Sequence, residues 1–254
     1  MRANEKEILY SLLKKTACYF HGYKPLSFSS DINFLDDEEI SVNNESKEIQ
    51  ENIETKITQT ITLTDINTKI KKCTRCKLAR TRNNVVCGCG IPTSRILIIG
   101  EGPGFEEDKQ GLPFVGTAGF LLDKMLSAIS LDRKTNCYIT NIVKCRPPEN
   151  RDPYPDEQDA CISFLEAQIQ IIKPEIILCL GRISSHKLLD TTDSISNLHG
   201  KFYEYNHIPL MVTYHPSALL RNEELKRPTW EDLKLFRTKL KELAPAYDEN
   251  FIIK

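Results

Sequence analysis

Residues 95–104 read RILIIGEGPG, and the passage from an apolar run to a glycine-rich turn within them decides the class of fold. After Arg95 the run to Gly100 is short, apolar and rich in isoleucine, the pattern of a strand covered on both faces. Three further runs of this kind follow: Cys137–Thr140 (CYIT), Glu175–Leu180 (EIILCL) and Pro209–Thr213 (PLMVT). Stretches with helical spacing separate them at about 117–129, 156–172 and 182–189, and another covers about 229–243. Apolar strands alternating with helices predict a parallel sheet covered on both faces, with right-handed crossovers. The expected class is therefore α/β, with four strands in the sheet.

The polar signals sit at the same end of every run. GEGPG follows the first, TNIVKCRPP the second, LGR the third and TYHPS the fourth. Open parallel sheets bind ligands beyond the carboxyl ends of their strands, so these four segments should meet in one cleft. The glycines of Gly100–Gly104 let backbone approach a ligand closely, or simply turn the chain. Glu106, Glu107 and Asp108 make the segment too acidic for a phosphate cradle, and its spacing is neither a dinucleotide fingerprint nor a P-loop. Phe114, between Pro113 and Gly116, can stack on a flat ligand or plug the core. Asn141, at a strand end, can read the edge of an imide or amide base, or satisfy local backbone. His215 can donate a hydrogen bond to a developing anion, and Ser217 can cap the helix that follows.

The chain has 254 residues, 40% hydrophobic and 27% charged, with a net charge of −1. That balance argues against a uniformly basic nucleic-acid binder. Much of the acid is concentrated in residues 36–54, where Asp36, Asp37, Glu38, Glu39, Glu45, Glu48, Glu51 and Glu54 face only Lys47. Residues 1–23 carry an amphipathic helix, with apolar spacing from Ile8 to Tyr19. It reads as a packing or tethering element, or as a partner-binding helix. Residues 24–61 read as an acidic flexible linker, ending where a helix begins at about 62. Residues 62–245 form the main domain and 246–254 a tail. Neither a signal peptide nor a membrane-spanning run is seen, which points to the cytoplasm.

Nine cysteines in a reducing compartment suggest metal binding rather than disulfides. Cys73 and Cys76 form a C-x2-C pair, Cys145 follows the second strand, and Cys161 lies 16 residues further on. Together they can make a four-thiolate site for Zn²⁺ or a [4Fe–4S] cluster. Cys87 and Cys89 form a C-x-C and are alternative ligands or free thiols. Cys18, Cys137 and Cys179 lie in apolar runs and read as small buried hydrophobes.

From about Lys72 to Leu243, roughly two thirds of the chain, these motifs in this order resemble the family 4 uracil-DNA glycosylases. The resemblance rests on CxxC, GEGPG, GLPFVGTAG, TNIVKCRPP, the later cysteine and HPSALLR. It implies a three-layer α/β/α fold around a central four-stranded parallel sheet, and a [4Fe–4S] cluster on Cys73, Cys76, Cys145 and Cys161. It implies that Phe114 stacks on extruded uracil, that Asn141 reads the edge of the base, and that Glu101 and Gly102 line the pocket. Glu107 matches the position that places the attacking water, with Glu101 second, and Gly102 stands where related enzymes with a GQDPY-type motif have an aspartate. His215 would stabilise charge on uracil O2, and Leu219, Leu220 or Arg221 would enter the duplex.

No Schiff-base lysine occurs in these motifs, so the expectation is a monofunctional, monomeric enzyme acting on uracil in single- or double-stranded DNA. The cluster is expected to be structural, with Arg75, Arg80, Arg82, Arg146 and Arg151 near it to meet phosphates. Two rivals stand beside this reading. One is a relative that holds uracil without turnover, disfavoured because TNIVKCRPPENRDPYP lacks a basic, histidine-containing insert. The other is a zinc-stabilised nucleotide-binding or polymerase-accessory domain, which would need neither Phe114 nor His215.

Overall fold

Strand burial explains why the apolar runs lack alternation. In the computed structural model, which describes residues 61–249 and Phe251, every residue of β2 (Ile96–Gly100), β3 (Tyr138–Asn141) and β4 (Ile176–Leu180) is buried. The last four residues of β6 (Ile208–Thr213) are buried as well. These four strands are mutually parallel, in the order β3-β2-β4-β6. Ile98 of β2 pairs with Ile139 on one side and Leu178 on the other, so β2 is flanked by both halves of the sheet. The chain leaves β2 toward β3 and later returns to β4 on the opposite side, which opens a crevice at the carboxyl end of β2.

The expected four-stranded parallel sheet is present, and two antiparallel edge strands extend it to six. β1 (Cys89–Gly90) pairs with β3, and β5 (Phe202–Tyr205) pairs with β6. The sequence reading missed both. β1 is two residues long, below the length at which a pattern shows. β5 joins β6 through Asn206 and His207, whose φ values are +49° and +65°. Two consecutive positive φ angles define the tight hairpin turn that suits strand twist, but an Asn-His pair signals it more weakly than Asn-Gly.

Helices cover both faces. They are α1 (Leu63–Lys71), α2 (Phe105–Gln110), α3 (Thr117–Ser127), α4 (Pro155–Ile172), α5 (Arg182–Leu189), α6 (Ile195–Leu198), α7 (Pro216–Arg221) and α8 (Lys226–Leu243). On one face Leu97, Ile99, Ile177, Cys179 and Val212 meet Ile66 and Ile70 of α1 and Phe164 and Leu165 of α4. On the other, Ile96, Ile98, Leu178, Leu180 and Met211 meet Leu122 and Leu126 of α3 and Phe236 and Leu240 of α8. Neighbouring strand residues alternate between the two cores because successive side chains point to opposite faces. This is the three-layer α/β/α arrangement. α1 starts on a capping box in which the Thr62 amide donates to Asp65 and the Asp65 amide donates to Thr62. Cys137 and Cys179 are fully buried, as their apolar context suggested.

The described residues fall in one unit, Gln59–Lys254. The expected N-terminal helix of residues 1–23, Cys18 and nearly all of the acidic linker lie outside the described residues. Part of the expected tail is integrated: Tyr247 is buried, its hydroxyl donates to the Ile129 carbonyl at 2.9 Å, and its own carbonyl accepts from Asn136. Among the described residues no helix is long and apolar enough to cross a membrane.

Candidate active site

A cleft of about 960 Å³ opens at the carboxyl ends of the four parallel strands. Glu101 and Gly102 reach it from β2, Asn141 from β3, Gly181 and Arg182 from β4, and Tyr214 and His215 from β6. Phe114 and Glu107 enter from α2 and the loop that follows it. The convergence expected from strand ends is therefore present.

Three groups form the floor. Asn141 is 2% exposed, and its Oδ1 has no hydrogen-bond partner. An orphaned acceptor at that depth is costly unless a ligand supplies the donor. Phe114 is also buried, and its ring and that of His215 are tilted by 32° with centroids 5.6 Å apart. Gly100 permits this crowding, since a Cβ there would fall 2.5 Å from Asn141 Oδ1 and 2.6 Å from Phe114 Cζ. Gly181 has φ +85°, and a Cβ there would meet His215 Cβ at 2.7 Å. Only glycine suits both the angle and the gap.

His215 caps α7. Its Nδ1 accepts the Ser217 backbone N–H at 3.2 Å and lies 2.8 Å from the Ser217 hydroxyl. A backbone N–H can only donate, so Nδ1 is an acceptor and the ring proton sits on Nε2. The protein surrounds the ring closely although part of its surface meets the cleft. Burial lowers its pKa to about 4, assisted by the positive charge of Arg221 and opposed by Glu107. At neutral pH the ring is an uncharged donor through Nε2.

The two glutamates expected in the chemistry differ. Glu107 Oε1 accepts the amides of Val115 and Gly116 at 2.8 and 2.9 Å, and Oε2 accepts the Gly104 amide at 3.1 Å. The carboxylate thus braces the Phe114 loop against the glycine turn, with little accepting capacity left over for water. Glu101 is part-buried, and its pKa is pushed up to about 7 by burial and by the neighbouring carboxylate of Asp152, against the pull of Arg182 and Arg221. Asp152 is itself ion-paired with Arg182.

Of the three residues expected to meet DNA, Leu219 is excluded from that role: it is 2% exposed and packs in the core beside Phe114. It faces inward because α7 buries one side against α3 and the core cluster beneath it. Leu220 is 47% exposed, and Arg221 is exposed at the cleft wall. Four of the five arginines expected near the cysteines, Arg75, Arg82, Arg146 and Arg151, have structural partners. Arg151 forms a bidentate pair with the buried Glu157 and stacks on Tyr154. Arg75 stacks on Phe164 and donates to Ser163, and Arg146 stacks on Phe105. Arg82 donates to Cys145 Sγ at 3.2 Å, and Arg80 is exposed.

Cys145 and Cys161 are buried in one core cluster, with Cys73 and Cys76 packed against it. Burial pushes the Cys145 thiol up to about 11, against the pull of Arg82, with Cys161 and Cys76 adding to the rise. Burial likewise raises Cys161, and Cys73 and Cys76 contribute. The electrostatic neighbours of Cys145 and Cys161 therefore include Cys73 and Cys76. Among the described residues, no three His, Cys, Asp or Glu side chains are grouped tightly enough to hold a single metal ion. Cys87 and Cys89 have other neighbours: Cys87 Sγ lies 3.7 Å from the Asn67 carbonyl, and Cys89 Sγ receives Arg133 at 3.7 Å.

Sequence reasoning missed Asp152 and Arg133. Asp152 sits in an irregular loop with no motif of its own, and Arg133 in a polar connection, LDRKTN, that gives no sign of what its side chain reaches.

Comparison with known proteins agrees with this geometry. The family described as "Uracil DNA glycosylase superfamily" matches residues 87–234. The chain is 43% identical over 190 residues to the type-4 uracil-DNA glycosylase of Sulfurisphaera tokodaii, covering 72% of this chain and 84% of that protein. It is 44% identical over 180 residues to the type-4 uracil-DNA glycosylase of Thermotoga maritima (69% and 93%). The enzyme of the same name from Archaeoglobus fulgidus is 41% identical over 180 residues (68% and 90%).

Proposed function

Because the chain belongs to the uracil-DNA glycosylase superfamily, and to its type-4 members, we propose that it hydrolyses the N-glycosidic bond of deoxyuridine in DNA and leaves an abasic site. The observation that carries this reading is the orphaned Oδ1 of Asn141 beside the ring of Phe114 and the neutral ring of His215. Uracil offers an N3–H donor next to a carbonyl, which complements the acceptor and donors of one amide. Cytosine offers the reverse pattern and would leave both partners unpaired, which such sites reject strongly.

A base in a duplex must leave the stack before its sugar can be attacked, at a cost of a few kcal/mol. Phe114 receives the extruded ring, and Leu220, the exposed apolar residue of α7, fills the space it leaves. Breaking the bond between uracil N1 and the anomeric carbon sends the electron pair into the base. The Nε2–H of His215 donates to the developing anion at O2, a preorganised donor in a site of restricted water access. Water adds its oxygen to the anomeric carbon and gives up a proton. We assign acceptance of that proton to Glu101, whose pKa of about 7 suits a general base, and bracing of the loop to Glu107. No residue is assigned to a Schiff base, and the reaction is simple hydrolysis without strand cleavage. The enzyme would act on single- or double-stranded DNA as a cytoplasmic monomer, with Arg221 and Arg80 meeting phosphates and residues 1–23 recruiting a repair or replication partner.

Cys73, Cys76, Cys145 and Cys161 would hold the [4Fe–4S] cluster. The donor chemistry fits this group: Cys73 and Cys76 pack against the core cluster that contains Cys145 and Cys161, which gives an all-thiolate set drawn from two segments. When bound, the iron–sulfur cluster supplies a covalent tie between residues 73–76 and 145–161. The protein should be brown, and Cys145→Ser should lose the colour and lower Tm. A colourless protein containing stoichiometric zinc would overturn the cluster.

The direct test is a single-turnover assay on an oligonucleotide with one uracil, followed by alkali. Free uracil and alkali-dependent strand scission are expected. No release from single- or double-stranded substrate, with the metal site loaded, would reject the glycosylase reading.

A further inference from the structure

Phe114 has φ +52°, a left-handed conformation that is costly for a bulky side chain and persists only where its surroundings hold it. The holding group is Arg133, on the connection between α3 and β3. A guanidinium has five N–H donors, and here each one is engaged. Nη1 donates to the Pro113 carbonyl at 2.6 Å and to Cys89 Sγ at 3.7 Å. Nη2 donates to the Phe114 carbonyl at 2.9 Å and to Asp123 Oδ1 at 2.7 Å. Nε donates to the same Asp123 oxygen at 3.0 Å. The Arg133 side chain is 15% exposed.

The loop is therefore clamped from two sides. Arg133 takes the carbonyls of residues 113 and 114, and Glu107 takes the amides of residues 115 and 116. Gly119 lets α3 approach from beneath, since a Cβ there would stand 2.0 Å from the Phe114 carbonyl oxygen. Asp123, one turn further along α3, fixes the orientation of the guanidinium.

We propose that Arg133, oriented by Asp123, is a positioning residue for base recognition: it sets the backbone of Phe114 so that the ring stands ready in the cleft before the base enters. The inference rests on the reading of Phe114 as the stacking platform. A platform set in advance spares the ordering cost that would otherwise be charged to base binding. Lysine cannot replace the arginine, because its donors radiate from one point and cannot bridge two carbonyls and a carboxylate.

The test uses the full chain with its metal site loaded, and compares Arg133→Gln, Arg133→Lys, Asp123→Asn, Phe114→Ala and a double variant that combines Arg133→Gln with Phe114→Ala. Product inhibition by free uracil should weaken by about tenfold in Arg133→Gln, the order expected from losing two backbone hydrogen bonds. KM should rise more than kcat falls, and affinity for a uracil-free oligonucleotide should hold. Arg133→Lys should not rescue. In the Phe114→Ala background the same arginine change should cost little, because interacting sites are not additive. Hydrogen exchange supplies a readout independent of activity: the Val115 and Gly116 amides should exchange faster in Arg133→Gln while β2 and β4 keep their protection. Full additivity with Phe114→Ala, or unchanged exchange in the loop, would overturn the proposal. If Arg133→Gln does not fold, Asp123→Asn decides: it should shift inhibition and exchange in the same direction by less, and wild-type values for both would refute the proposal. A wild-type protein that releases no uracil would reject the glycosylase reading alone, since loop exchange still reports on Arg133.

Discussion

On the floor of the cleft, Asn141, Phe114 and His215 are neutral groups, each set by close neighbours. On the rim, Glu101, Asp152, Arg182 and Arg221 are ionisable groups that act on one another through space. On the proposed reading the floor would discriminate through prearranged hydrogen-bonding and stacking geometry, which tolerates little displacement. The rim gains its proton affinity from a balance of charges, which shifts by degrees and is open to screening by salt. Damage to the floor should be abrupt and largely independent of pH, and damage to the rim graded and dependent on it.

The sharpest way to break that contrast is at His215. His215→Ala should slow single-turnover release by ~10²–10³-fold, the usual cost of removing one such donor, while binding of uncleavable DNA stays near normal. Turnover near wild type would remove His215 from the chemistry. Asn141→Ala should lose the preference for uracil over cytosine, and retained preference would take Asn141 off the reading edge. Phe114→Ala should lower kcat/KM by ~5- to 150-fold, corresponding to ~1–3 kcal/mol of stacking. Loss confined to Tm, with kinetics intact, would make Phe114 a core plug. Leu220→Ala should slow release from duplex DNA several-fold and leave single strands unaffected, because only a duplex has a gap to fill. Equal effects on both substrates would end the wedge assignment.

The rim predicts the smallest change in rate and the clearest change in pH dependence. With Glu101 as the proposed base its carboxylate would be the reactive form, so release should rise with pH through about 7. Asp152 raises that pKa and Arg182 lowers it. Asp152→Asn should therefore move the acid limb to lower pH, and Arg182→Gln to higher pH. His215, neutral down to about 4, adds no limb near neutrality. An acid limb that ignores both substitutions would assign the base elsewhere.

Much of this site was legible in advance, for a reason the particular residues make plain. RILIIG, CYIT, EIILCL and PLMVT announce buried strands through local composition, and a parallel sheet brings their carboxyl ends to one side. Asn141 and His215 could be placed in one cleft from their strand-end positions alone. Glu107 could be placed in the cleft from its motif, but its three backbone donors come from residues 104, 115 and 116 and appear only once the loop folds back. The motif HPSALLR contains Leu219 and Leu220 side by side, and only the docking of α7 shows which of them faces the core.

The sequence by itself determined the layered α/β class, the cleft and most of the groups that line it, because strand and helix periods are properties of neighbouring residues. Tertiary structure alone decided the proton affinity of Glu101, the tautomer of His215, the inward turn of Leu219 and the clamp of Arg133 on Phe114. Each of these depends on what stands across a few ångströms of space, and that distance bears no fixed relation to separation along the chain.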